Sequence, residues 1–324
     1  MYSVAHARSL PAVLVVCLAP VPVQAAVPAC PAPPEDAVAV VPATADFVVG
    51  GRPAEIDGER AGQHLLSLAA LDLQMGEWQR LRAACFSGSG TGAPVSVSVA
   101  GSGTGDFAWV LRGEGVASEV KVACVADWFS RRDEGVAPWS APHLASGGCI
   151  RAYASESPRA IAALSLENHT LILTSASWFG TVLASLEDRE LRAKELEESA
   201  RLVRDPAHSL WAAGTLHRAP GYLSQVPWPD TIRNFGARAH LRKGLSLSIV
   251  VETSDFAAAT TLAVAQLLPR VFAQWTQRGV PEALLAKIEI SRSAELFLAR
   301  WELDQKELRT LARSIASAVQ GGMI

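Results

Sequence analysis

The chain has 324 residues, 49% hydrophobic and 19% charged, with a formal net charge of −3. That apolar share supplies a core for one large domain or two modest ones and excludes an intrinsically disordered chain. Acids and bases are interspersed without a basic stripe, so nucleic acid is excluded as an expected partner, as is electrostatic attachment to an anionic membrane surface.

The opening "MYSVAHARSLPAVLVVCLAPVPVQAAVPAC" reads as an export signal over residues 1–25. It has a weakly basic start (His6, Arg8), an apolar run from Leu10 to Val23, and Val23-Gln24-Ala25 as a small-residue cleavage site before Ala26. Pro11, Pro20 and Pro22 interrupt that run, and no later segment reaches the roughly 18 to 20 apolar residues a span requires. The expectation is an exported, periplasmic or cell-surface protein with no transmembrane span. Val27-Pro28-Ala29-Cys30 resembles a bacterial lipobox, with a proline where the motif does not place one, and makes Cys30 a candidate lipidation site. The Pro/Ala-rich residues 26–44 read as a tether.

Beyond Cys17 in the signal, the cysteines are Cys30, Cys85, Cys124 and Cys149. An even count in an oxidising compartment favours disulfides, and about three pairings are open if all four bond. No Cys-x-x-Cys occurs, which argues against a thioredoxin-type site or a zinc knuckle.

"ADFVVGG" predicts a first strand ending at a Gly pair, and "DGERAGQHLLSLAALDLQMGEWQRLRAAC" a helix with Trp78, Leu81 and Cys85 on one stripe. GSGTG occurs at 88–92 and again at 101–105, bracketing the strand "PVSVSVA". Each copy leads into a β-like run instead of a helix, and no Gly-Lys-Ser/Thr follows, so these are hairpin or surface turns and not phosphate loops. "FAWVLRG" is the returning strand. "GVASEVKVACVADWFS" is a helix with Ser118 as N-cap and Val116, Val120, Cys124 and Trp128 on one face. After a Pro/Gly/Ser-rich stretch and the β-like "CIRAYAS", "RAIAALSLENHTLILTS" is a hairpin turning at Glu167-Asn168. A helix from about Ser177 runs into the charged "EDRELRAKELEESARLVRD", read as a solvated connection over 187–205.

The second half repeats this order. "HSLWAAGT" is a strand, "FGARAHLRKGLSLSIVVET" a hairpin turning at Lys243-Gly244, and "SDFAAATTLAVAQLLPRVFAQWTQ" a helix broken at Pro269. "AKIEISRSAELFLARWEL" is another hairpin, and "DQKELRTLARSIASAV" a closing helix. There Asp304 and Glu307 form a capping-box signature and Leu308, Leu311, Ala312 and Ile315 a core stripe. "VPATADFVVGG" (41–51) is echoed by "DPAHSLWAAGT" (205–215) at a constant offset of 206 − 42 = 164, with Phe47 matching Trp211 and Gly50 matching Gly214. The fold class predicted is α+β, a tandem of two β-α-β-β-α-β-β-α units, antiparallel sheets with helices packed on one face. The units span 45–186 and 206–324, joined by the charged helix.

The segments "DFAWVLRGEGVASEVKVACVADW", "RAIAALSLENHTLILTS", "DPAHSLWAAGTL" and "GLSLSIVVETSDFAAATTLA" together resemble a group of uncharacterised exported bacterial proteins built from two such units. The resemblance covers most of residues 41–320. It implies an envelope location, as a periplasmic protein or lipoprotein, and no assigned reaction.

Catalytic patterns are sparse. The histidines after the signal, His64, His143, His169, His208, His217 and His240, include no pair at helical metal-site spacing, and neither His-Glu-x-x-His nor Gly-x-Ser-x-Gly occurs. No catalytic, cofactor or metal residues are therefore expected. Trp139 and Trp228 sit in Pro-rich loops and are candidates for a binding surface. Cys85 and Cys124 lie on stripes of helices that would pack side by side on one sheet face, which predicts a disulfide between them. Reduced core cysteines, or Cys149 taking one of the two, are the competing arrangements. The function expected is a non-enzymatic envelope protein that binds an unknown protein or apolar small-molecule partner or acts as a scaffold. The rival expectations are a secreted hydrolase with its site between the units and a carrier of a small apolar ligand.

Overall fold

The computed structural model describes residues 30–59, 62, 73–87, 92–132, 139, 142–145, 148–154, 161–188, 193–205, 208–215, 232–254, 273, 275–277, 279–293 and 295–320. The export signal expected over 1–25 lies outside them, as does most of the helix expected over 254–277. The strands are β1 (Phe47–Gly51), β2 (Ser96–Gly101), β3 (Phe107–Arg112), β4 (His143–Ala145), β5 (Ile150–Tyr153), β6 (Ile161–Leu166), β7 (Thr170–Ser175), β8 (Leu210–Gly214), β9 (Ile232–His240), β10 (Gly244–Thr253), β11 (Glu289–Ser293) and β12 (Leu296–Asp304). The helices are α1 (Pro53–Gly58), α2 (Leu73–Cys85), α3 (Glu119–Arg132), α4 (Ala176–Glu187), α5 (Lys194–Arg201), α6 (Glu282–Leu285) and α7 (Gln305–Gln320). The protein is α+β.

All the strands join one 12-stranded antiparallel sheet, in the order β11-β12-β10-β9-β8-β1-β2-β3-β7-β6-β5-β4. The two echoed segments are its central pair, with Phe47 opposite Gly214 and Gly50 opposite Trp211. Outward from that pair the order is β1-β2-β3-β7-β6 on one side and β8-β9-β10-β12-β11 on the other, and β5 and β4 extend the first side. The hairpin β6–β7 turns at Glu167 and Asn168, both at positive φ (48° and 58°), a geometry that short polar Asn tolerates.

Helices cover both faces, not one. β6 and β7 are nearly continuous in their burial, so each face of the sheet must be covered there. On the first face, Val48, Ala100, Ala108, Val110, Leu164 and Ile172 pack with residues of α4, α5 and the segment 37–45. On the opposite face of the first side, Leu111, Ala163, Leu171 and Leu173 meet Leu81 and Cys85 of α2 and Val122, Val125 and Phe129 of α3. On that same opposite face of the second side, Ala239, Leu245, Trp301 and Leu303 meet Leu284 and Leu285 of α6 and Leu308 and Leu311 of α7. The closing helices therefore differ between the sides, α4 lying on the first face and α7 on the opposite one.

Two further expectations are corrected. The segment read as a tether is core: Ala37, Val38, Val40, Val41 and Ala45 are buried. Asp36 caps its 3-10 turn by accepting from the Val38 N–H and pairs with Arg204 at 3.0 Å. The charged connection is not solvated throughout either, because Leu196 and Ala200 of α5 and Val203 just beyond it, spaced four and three apart, bury one stripe against the sheet. Gly236 permits that approach, since a Cβ there would lie 2.7 Å from Val203. Within α3 the buried positions are Val122, Val125 and Phe129, while Val120 is 78% exposed, so at Val125 and Phe129 the apolar stripe lies one residue along from the expected Cys124 and Trp128.

Candidate functional site

The centre of the sheet is built from glycines facing aromatic rings. Gly50 lies opposite Trp211, Gly101 opposite Phe47 and Gly214 opposite Phe235. A Cβ on these glycines would sit 2.4, 2.6 and 2.6 Å from the respective rings, so each ring lies directly on bare backbone. Trp211 belongs to the first face, and Phe47 and Phe235 to the opposite face. Between them Val49 remains 42% exposed, a large apolar side chain in mid-sheet. This apolar strip is a candidate contact surface.

At one end of the central pair the chain gathers polar groups. Arg52, just after β1, donates to the His208 carbonyl and pairs with Glu55 at 2.7 Å. Glu55 in turn accepts from the Ser209 hydroxyl at 2.9 Å. His208 stacks on His240 with ring centroids 4.2 Å apart, and its Nδ1 lies 3.4 Å from the Asp205 carboxylate. Burial, reinforced by the neighbouring His240 and Arg238, holds His208 below the ordinary histidine range despite Asp205. The imidazole is therefore held toward its neutral form. An Asp–His pair beside a serine suggests acyl transfer, but the Ser209 hydroxyl is engaged by Glu55.

At the other end, the second GSGTG is a hairpin turn, as expected. Gly105 takes φ +89° and its N–H donates to Ser102. The Gly103 N–H donates to the Asp46 carboxylate at 2.6 Å, while the Asp46 carbonyl accepts from Thr215. Asp46 thus ties β1, β2 and β8 together at one level. Asp106 accepts from Ser177 and Ser175 at the start of α4, and the Ser177 hydroxyl above all lowers its pKa. Among the described residues no group of three or more His, Cys, Asp or Glu is placed to hold a metal ion.

Cys85 and Cys124 form a disulfide with Cα atoms 5.7 Å apart, joining α2 to α3. Cys149 pairs with Cys30, Cα atoms 5.5 Å apart, which corrects the reading of Cys30 as a lipidation site. A sulfur bonded to another sulfur has no valence left for an acyl-carrying thioether. Trp139 is half-buried, donates its indole N–H to the Ile161 carbonyl and lies against Tyr153, so it packs into the core and is not a free loop surface. Trp228 lies outside the described residues. The polar cluster around His208 and the pairing of buried Asp36 with half-buried Arg204 were not anticipated. Their only local sign is ionisable residues next to strand ends, and their partners lie far apart in sequence.

No family model and no curated protein matches the chain. Among solved structures it is similar to crystal form I of TP0453, at 12% identity and a TM-score of 0.46, over 87% of this chain and 98% of that one. A likeness at that level carries no argument about function.

Proposed function

We propose that this protein is exported to the periplasm or cell surface and acts there as a non-enzymatic binding or scaffold protein, built as a tandem of two α+β units. The observation that carries the export reading is the pair of disulfides, Cys30–Cys149 and Cys85–Cys124, which together use every cysteine after the leader. Disulfides persist in oxidising compartments and are rare where thiols are kept reduced. That no helix among the described residues is long and apolar enough to cross a membrane is compatible with it. The tandem reading is supported by the matching strand order on the two sides of the β1–β8 pair. The binding reading rests on the mid-sheet strip of Phe47, Val49 and Phe235, where a partner would gain apolar burial.

The test is fractionation of the native host, followed by cross-linking through a photoreactive residue at position 49. A recurrent cross-linked partner in the envelope fraction, lost on Val49→Lys, is the expected result. A hydrolytic activity of the purified protein that one substitution in the His208 cluster abolishes would reject the non-enzymatic reading.

A further inference from the structure

The segment from Cys30 to Asp46 crosses the first face as a strap. One end is covalent, at Cys149 just before β5, and the other runs directly into β1. Between them Arg112 donates to the Glu35 carbonyl, Asp36 pairs with Arg204, and the Ala37 N–H donates to the Ser98 hydroxyl at 2.7 Å. The Val41 carbonyl accepts from the Ala193 N–H at the start of α5. Beneath the strap the sheet offers Ser98 and Ala100 of β2 and Ala108 and Val110 of β3, mostly small side chains that leave room for a chain laid on top. Holding both ends lowers the entropic cost of keeping the strap closed, and loss of the N-terminal tie removes that contribution.

The two disulfides differ in access. Cys30 is exposed and Cys149 half-buried, close to the short edge strand β4, whereas Cys85 is only 4% exposed and Cys124 half-buried against the core between α2 and α3, so only the first bond has an exposed cysteine. Thiol–disulfide exchange requires an attacking thiolate to reach a sulfur, so the bonds are chemically ordered.

We propose that Cys30–Cys149 is a redox-sensitive latch whose reduction releases the strap from the first face while Cys85–Cys124 stays intact. A dithiol reductant attacks the Cys30 sulfur as its thiolate, and Cys149 leaves as a thiolate while a mixed disulfide forms. The reductant's second thiol then displaces Cys30 and closes its own disulfide. Two protein thiols are gained and one dithiol is oxidised. The strap, hinged at Asp46, then opens and uncovers the floor of Ser98, Ala100 and Ala108. This goes beyond the binding reading and does not depend on it.

The experiment titrates the full chain with dithiothreitol under native conditions, alkylates with iodoacetamide, and maps the peptides while following amide exchange. At least about tenfold less reductant should free Cys30 and Cys149 than frees Cys85 and Cys124. Exchange of residues 37–41 should then quicken at least about tenfold, while β6 and β7 stay protected. A Cys30→Ser/Cys149→Ser double variant should show the same fast exchange without reductant, which separates strap release from any effect of the reagent. Reduction of Cys85–Cys124 first, reduction of both bonds together, or unchanged exchange at 37–41 in either the reduced protein or the double variant would overturn the proposal.

Discussion

Substituting Gly50 by alanine tests whether the central pair is held by ring-on-backbone contact. The added Cβ would stand 2.4 to 2.5 Å from three atoms of the Trp211 ring. That is about 1 Å short of ordinary carbon contact. Trp211 is only 9% exposed and packed in the main core, so the ring cannot move out to solvent without lifting the first-face packing around Val48 and Ala213. Overpacking of this kind costs about 3 kcal/mol. Trp211→Leu alone should cost a similar amount, about 3 kcal/mol, by leaving a cavity. The two losses have one origin, so the double variant should be less destabilised than their sum by about 2 kcal/mol. Urea unfolding of the four proteins with unchanged m-values gives these differences directly. Additivity within about 0.5 kcal/mol would show that Gly50 is not there to receive the ring.

Removing the Cys85–Cys124 disulfide as the double alanine variant should lower stability by about 3.9 kcal/mol on the chain-entropy relation for a separation of 39 residues, read from urea midpoints. Asp36→Ala should cost about 2 kcal/mol, since it leaves Arg204 without its buried partner and the Val38 N–H uncapped; an unchanged midpoint would dismiss the pair. His208 titrates below the ordinary histidine value in the folded protein because of burial, His240 and Arg238. The unfolded chain therefore takes up that proton first, so stability is full above the ordinary value and falls as pH drops toward the folded one. His208→Gln should flatten that fall below the ordinary histidine value, and an equal drop in both proteins would refute it. The Asp304 N–H donates to Glu307 and the Glu307 N–H to Asp304, a reciprocal cap on α7. Asp304→Ala should accelerate amide exchange in the first turn of α7 without altering β10.

Features whose cause is local were readable in the residues. The Glu167-Asn168 turn, the capping box of α7 and the second GSGTG turn each depend on neighbours within a few positions, and each is in place. The Cys85–Cys124 pairing was also legible, because two successive helices pack side by side on one sheet face and bring both sulfurs to their shared seam. The strap was not. "EDAVAVVPATA" has the Pro/Ala composition of a linker, and what fixes it lies far away: Cys149, Arg204 and Ser98. The stripe of α5 and its end was hidden by a charged exterior, since three buried side chains over about two turns weigh little in a run of Glu and Arg. Placement of helices on both faces was beyond periodicity alone, because a short continuous apolar strand signals two covered faces without telling which helix covers which. The polar cluster at the end of the central pair falls in the same class. His208, His240 and the neighbouring Arg52 and Glu55 come from three separate segments that only the sheet order brings together.

The meeting of β1 with β8 sets the order in which this molecule can be made. Phe47 must wait for Gly214, which lies 214 − 47 = 167 residues later in the chain. Contacts of such long range form slowly, because the intervening chain has to be gathered before they contribute. Until β8 exists, the outer rim of "FVVGG" is a bare strand edge in an otherwise assembling sheet, the kind of rim that recruits neighbouring chains. The two glycines at its end lower its appetite for strangers, since a strand short of side chains pairs weakly with any sequence lacking a matching ring. Trp211 supplies that ring. The same bare backbone that makes the seam intolerant of an extra methyl group is thus matched to the ring of its own second side.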